Sequence, residues 1–152
     1  MNTIRTRVAT QDDVEVIAPM FDAYRQFYEQ APDVALARRF ISDRLVKGES
    51  IVLLALRDLQ GAVGFCQLYP TFCSVEAKPI YALYDLFVEP AARRSGAGRM
   101  LLQAAERLAA ENGVARLDLT TAKTNRPAQA AYESLGWVRD EVFHAYSKSI
   151  AF

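Results

Sequence analysis

The feature that most constrains this chain is a strand–loop–helix run in its second half. Ile80–Val88 (IYALYDLFV) has the aromatic and β-branched content of a strand and ends at Glu89–Pro90. Gly98–Glu111 reads as an amphipathic helix with Leu101, Leu102, Ala105 and Leu108 on one face, closed by Asn112–Gly113. Ala115–Thr121 (ARLDLTT) alternates as the next strand. A strand, a crossover helix and a second strand make a right-handed unit, whose two strands lie parallel in one sheet.

The segments before it fill in the rest of the sheet. Thr3–Ala9 alternates Ile4, Thr6 and Val8 with other residues and reads as a half-buried strand. Thr10 is an N-cap, and Asp12–Asp13 suit a helix N-terminus. Val14, Ile17, Phe21, Tyr24 and Tyr28 place a helix over 11–29, with Pro19 arguing for a kink or an early break. Pro32–Asp33 open a second helix that carries Val34, Ala37, Ile41 and Leu45 on one face and ends at Gly48. Ser50–Arg57 and Gly61–Tyr69 form a hairpin about Asp58–Gly61. Pro70–Pro79 reads as a loop, or as a strand that leaves its partner. Pro127–Leu135 is a short helix ended by Gly136, and Trp137–Ile150 holds one or two more strands. The order is β-α-α-β-β-β-α-β-α-β, an α/β (α+β) fold with helices on both faces of a mixed, mostly antiparallel sheet. No repeat or linker divides it, so residues 1–152 are expected to be a single domain.

Composition removes several functions. Eighteen Lys and Arg balance eighteen Asp and Glu, so nothing draws the chain to a phosphate backbone, and no nucleic-acid partner is expected. No run of eighteen apolar residues is present and the N-terminus lacks an apolar leader, so no membrane partner is expected and the expected compartment is the cytoplasm. Cys66, Cys73 and the single His144 make neither a disulfide framework nor a zinc site, so no metal is expected.

Chemistry points to the loop Arg93-Arg94-Ser95-Gly96-Ala97-Gly98, between the strand and the helix, with Arg99 next in line. Glycines allow a tight turn and close approach of a ligand, and backbone N–H groups at a helix N-terminus cradle an anion. A pyrophosphate is the natural guest. No Lys-Ser/Thr follows Gly98, which disfavours a nucleotide P-loop, and the glycines sit too late in the fold for a dinucleotide fingerprint.

This R-x-x-G-x-G loop, together with Asn125…Ala131-Tyr132-Glu133-Ser134-Leu135-Gly136-Trp137, resembles the GNAT superfamily of acetyl-CoA-dependent N-acetyltransferases. Trp137 stands where that signature carries Phe. The stretch from Gly64 to Tyr69 and on through Asp85–Val88 is further similar to the small-amine and polyamine branch. The resemblance implies that acetyl-CoA is the cosubstrate and that a neutral amine attacks its thioester directly. It implies that the Phe87–Val88–Glu89 backbone pairs with the pantetheine arm, that Arg93 to Arg99 hold the pyrophosphate, and that Asn125 hydrogen-bonds the arm. Tyr132 would protonate the departing thiolate.

Asp85, a carboxylate in an apolar strand, is the candidate base, with Glu76 and Glu89 as alternatives; polyamine enzymes carry their acid one place earlier, where this chain has Tyr84. Tyr24, Tyr28, Tyr69 and Tyr84, with Phe27, Phe72 and Tyr81, are candidate lining for an amine pocket, half of them alternatively core. Arg25 could bind an acceptor's carboxylate or simply be solvated. The partner is a small-molecule amine, and a homodimer is among the assemblies the resemblance implies. Two other readings stay open, a protein lysine or N-terminus as acceptor and a non-catalytic acyl-CoA-binding module.

Overall fold

A computed structural model describes residues 3–151. Those up to Thr120 form one compact unit and those from Thr121 a second. In the first unit, β1 (Ile4–Val8), α1 (Val14–Phe27), α2 (Val34–Val46), β2 (Ile51–Arg57), β3 (Gly61–Cys73), β4 (Lys78–Val88), α3 (Ala97–Glu111) and β5 (Leu117–Asp118) follow in chain order. The second unit contains α4 (Arg126–Ser134). No helix among the described residues is long and apolar enough to cross a membrane.

The sheet runs β1-β2-β3-β4-β5, so every strand lies beside its neighbour in sequence. All pairs are antiparallel except β4–β5, which is parallel across the α3 crossover. Strand alternation sends Val52, Leu54, Phe65 and Phe87 to one face, where they pack with Ile17, Phe21, Ala37 and Ile41 of α1 and α2. Helix α3 lies against β1 through β4 and buries Leu101, Leu102 and Ala105. Burying each of the large aliphatic or aromatic side chains contributes roughly 1.5–3 kcal/mol. The first helical turn is held by Thr10, whose N–H donates to Asp13 Oδ2 at 2.8 Å and whose hydroxyl accepts from the Asp12 amide. Two Arg7 hydrogen bonds hold the Asp13 carboxyl down to about 2.

Three local expectations change, and a fourth is resolved between its two alternatives. Pro19 does not stop α1, which runs on to Phe27, because the surrounding apolar face is locked against the sheet. Of the two readings of Pro70–Pro79, the strand that leaves its partner holds for Pro70–Cys73: β3 leaves β2 after Leu68 and stays paired with β4 through Cys73↔Lys78. Proline is tolerated there because β2 has already ended at Ile51↔Leu68, leaving that flank of β3 without a ladder to feed. The strand expected over 115–121 shrinks to Leu117–Asp118. The strands expected in Trp137–Ile150 are absent among the described residues, where Val138, Val142, Phe143, Tyr146 and Ile150 are exposed and no backbone–backbone hydrogen bond joins 138–151 to a neighbour. An alternating segment becomes a strand only when another strand accepts its ladder.

Candidate active site

Asp85 lies in β4 directly opposite Gln67 of β3, on the α1–α2 face of the sheet. The register between these strands slips at this point. Gln67 pairs with Asp85 and Leu68 with Leu83, so Tyr84 is an extra residue in β4, a β-bulge. The bulge exposes Tyr84 and leaves both Leu83 and Asp85 buried. Asp85 is 5% exposed and Gln67 fully buried. Gln67 Nε2 donates to Asp85 Oδ2 at 2.6 Å. The Tyr24 hydroxyl, from α1, donates to the Tyr84 carbonyl at 3.2 Å and also stabilises the Asp85 carboxylate. Burial outweighs both donors and raises the Asp85 carboxyl above the usual range. A carboxyl so raised is a stronger base once ionised, which is what removing a proton from an alkylammonium needs.

The expected aromatic lining divides. Tyr24 and Tyr28 meet edge to face at 5.1 Å, and Tyr69 and Tyr84 do so at 5.3 Å. Burial and the Asp85 charge raise the Tyr24 and Tyr69 phenols, so both remain protonated donors. Phe27 and Phe72 are exposed. Tyr81 alone of this group is core, its hydroxyl accepting from Asn112 Nδ2 at 2.9 Å. Arg25 is not free for an acceptor carboxylate, because it donates to Asp22 at 2.8 Å. Glu76 is exposed beside Arg116 at 3.4 Å, and Glu89 lies past the end of β4. Cys66 is buried, and burial beside Asp85 pushes its thiol up to about 12, which makes it a packing residue rather than a nucleophile.

The glycine loop follows β4. Arg93 Nε donates back to the Val88 carbonyl at 3.1 Å, tying the loop to the strand end. Ser95 Oγ donates to the Ala92 carbonyl and accepts from the Ala97 amide. Gly96 has φ +89° and caps α3, and Arg94 is held in the left-handed region at φ +63°. For an arginine that conformation costs roughly 1–2 kcal/mol, so the loop is shaped against local preference. The first turn of α3 carries no acidic side chain to offset the helix dipole, and Arg99 stands there instead.

Gly98 is not required by the protein's own packing. A Cβ there would meet only Val88 Cγ2, at an ordinary 3.7 Å. Glycine inside a helix costs roughly 0.5–1 kcal/mol relative to alanine, so its presence fits a ligand lying against the backbone. The residues present therefore suit a pyrophosphate. Beside the loop, β4 is paired with β5 only at Tyr81↔Leu117 and Ala82↔Asp118. Beyond that point no strand among the described residues pairs with the β5-side edge of 83–88. The Glu89 amide is not available to a ligand, since it donates to the Val63 carbonyl at 2.8 Å.

In the second unit, Asn125 is the N-cap of α4, its Oδ1 accepting from the Ala128 amide at 3.3 Å. That leaves its Nδ2 as the group for a ligand. Tyr132 is half-buried on α4, and its ring lies 6.0 Å from that of Trp137. His144 is exposed in the segment that follows. Among the described residues no group of His, Cys, Asp or Glu is arranged to hold a metal.

Sequence reasoning missed Gln67. Its only signal was a polar residue in an apolar strand, and the strand register is what connects it to Asp85.

Comparison with known proteins agrees with this geometry. The chain is 45% identical over 144 residues to an uncharacterized N-acetyltransferase of Bacillus subtilis, YhfO, covering 95% of this chain and 96% of that one. A crystal structure of a probable acetyltransferase superposes with a TM-score of 0.90 at 37% identity, covering 97% of this chain and 98% of the other. An aminoglycoside acetyltransferase, meta-AAC0020, solved with sisomicin, shares the fold at a TM-score of 0.79 and 20% identity, over 97% of each chain. Residues 17–137 match the family model for GNAT acetyltransferases, and the chain belongs to that family.

Proposed function

We propose that this acetyltransferase moves the acetyl group of acetyl-CoA to the primary amine of a small cytoplasmic molecule, by direct attack in a ternary complex, with residues 1–152 acting as one domain. The observation that carries this reading is Asp85, a buried carboxyl with a raised proton affinity, edged by tyrosines. With Arg25 held by Asp22, an alkylamine or polyamine fits better than an amino acid, whose carboxylate would lack its partner.

Asp85 takes the proton from the ammonium nitrogen, directly or through a water. The freed lone pair attacks the acetyl carbon, and as the tetrahedral intermediate collapses the nitrogen gives its second proton to solvent, the C–S bond breaks, and the acetyl group leaves on nitrogen as an amide. Loss of that proton at pH 7 costs about 4–5 kcal/mol for an amine of pKa about 10.4. The backbone at Phe87–Val88 polarises the thioester carbonyl, and Arg93, Arg94, Arg99 and the N–H groups at Ser95–Gly98 hold the pyrophosphate. Asn125 binds the pantetheine arm through its Nδ2. Tyr132 gives its phenolic proton to the thiolate and regains one from solvent.

Thiol release from acetyl-CoA, measured across alkylamines, polyamines, amino acids and a lysine peptide, tests the acceptor. Unhindered primary alkylamines and polyamines are expected to give the highest kcat/KM. A preference for the peptide would move the acceptor to protein, and thermal stabilisation by acetyl-CoA with no turnover on any amine would leave a binding module.

Tyr132→Phe keeps the ring against Trp137 and removes only the proton, so kcat is expected to fall at least about tenfold with KM little changed and folding intact. If kcat stays at the wild-type level while chemistry limits turnover, Tyr132 is a packing residue.

A further inference from the structure

Gln67 uses only half of its side chain. Its Nε2 donates to Asp85 Oδ2 at 2.6 Å, while its Oε1, inside a side chain with no solvent exposure, has no hydrogen-bond partner. Buried amide oxygens are nearly always satisfied, and one left alone calls for a reason. The strand pairing that sets Gln67 opposite Asp85 holds this contact in place, with the bulge at Tyr84 beside it.

We propose that Gln67 is a positioning residue that serves Asp85 in both of its protonation states. This rests on the reading of Asp85 as the base. An ionised Asp85 only accepts, and Gln67 meets it with Nε2. An Asp85 that has taken the substrate's proton becomes a donor, and a half-turn of the carboxamide meets it with Oε1. No hydrogen bond to Oε1 holds the amide in its present orientation. The proton leaves Asp85 for solvent after turnover, and the amide returns. Asp85 is also faced by Tyr24 from α1 and Tyr69 from β3, with Arg44 of α2 acting on Tyr69, while Cys66, next to Gln67 in β3 and on the other face, feels the Asp85 charge. Of these, Gln67 makes the short contact to the carboxylate.

The test is the pH profile of kcat/KM for the whole enzyme with acetyl-CoA and its best alkylamine. Gln67→Met keeps length and removes both polar ends, so Asp85 loses a donor and stays protonated to higher pH. The rising limb is expected to move up by about one unit or more. Gln67→Glu adds a second carboxyl and is expected to move it further in the same direction. Acetyl-CoA affinity is expected to stay within about twofold. In an Asp85→Asn background, Gln67→Met is expected to add little further loss, because it acts through Asp85. Folded Gln67 variants with an unmoved limb, in an enzyme where Asp85→Asn does abolish that limb, overturn this inference alone. An Asp85→Asn enzyme that keeps the wild-type limb removes Asp85 as the base and the inference with it.

Discussion

Asp85→Asn is expected to lower kcat/KM at pH 7 by about 100-fold or more, the range a general base contributes. The profile changes as well as the rate. In the wild type, activity rises with pH as the Asp85 carboxyl, raised by burial, ionises. Without it, the rate follows only the free amine, climbing toward an amine pKa of about 10.4. Acetyl-CoA affinity is expected to hold, because the glycine loop proposed to bind it begins after β4 ends.

Stability is expected to move the other way. A buried acid whose carboxyl is raised in the folded state favours folding while protonated, and that contribution is lost as pH rises through the raised value. An asparagine never ionises, so the variant's Tm is expected to equal or exceed that of the wild type, with the gap widening as pH rises from the ordinary carboxylate range to the raised value and staying constant above it. Activity lost with stability kept separates a chemical role from a structural one. A variant with wild-type rate and profile clears Asp85 of the base role.

Gly98→Glu is expected to abolish useful acetyl-CoA binding. The glycine φ is not left-handed, and a Cβ meets only Val88 Cγ2 at 3.7 Å, so the chain accepts the side chain. A carboxylate in the first turn of α3 also suits the helix dipole. The fold is therefore expected to be as stable as before, while the pyrophosphate meets a like charge and loses backbone donors. Charge-assisted hydrogen bonds contribute about 1.5–3 kcal/mol each, so a loss of about 3 kcal/mol, or over 100-fold in Kd, is expected. Gly96 is the poorer position for this test, since its φ of +89° would strain any side chain. Unchanged acetyl-CoA affinity, by calorimetry on a folded Gly98→Glu protein, removes the loop from the binding site.

The sheet and its helices were legible because their periods are strong. Val52, Leu54 and Phe65 announce buried strands, and Leu101, Leu102 and Ala105 a helix face. Asp85 was legible as a charge where the pattern wanted an apolar residue. Its partner was not. Gln67 and Asp85 are eighteen positions apart, and only the length of the β3–β4 hairpin and the bulge at Tyr84 set them opposite. Leaving Pro70–Pro79 open between a loop and a departing strand fixes no register across it. The ion pair of Arg25 was hidden for a similar reason, since Asp22 is fixed by α1 and by the Asp33 amide beyond the intervening turn. The strands expected in 137–150 need another strand to accept their ladder, and local sequence does not say whether one is there.

The strand order also bears on how the site comes into being. β2, β3 and β4 form a meander whose connections are only the turns at 58–60 and 74–77. Closing such short loops costs little chain entropy, so these pairings have low contact order and suit an early folding nucleus. β1 must return across two helices and β5 across a third. Gln67 and Asp85 thus sit inside the most sequence-local part of the sheet. The proposed proton-handling pair is set by short-range assembly, whereas the loop proposed to hold pyrophosphate at Gly98 waits for α3 to dock.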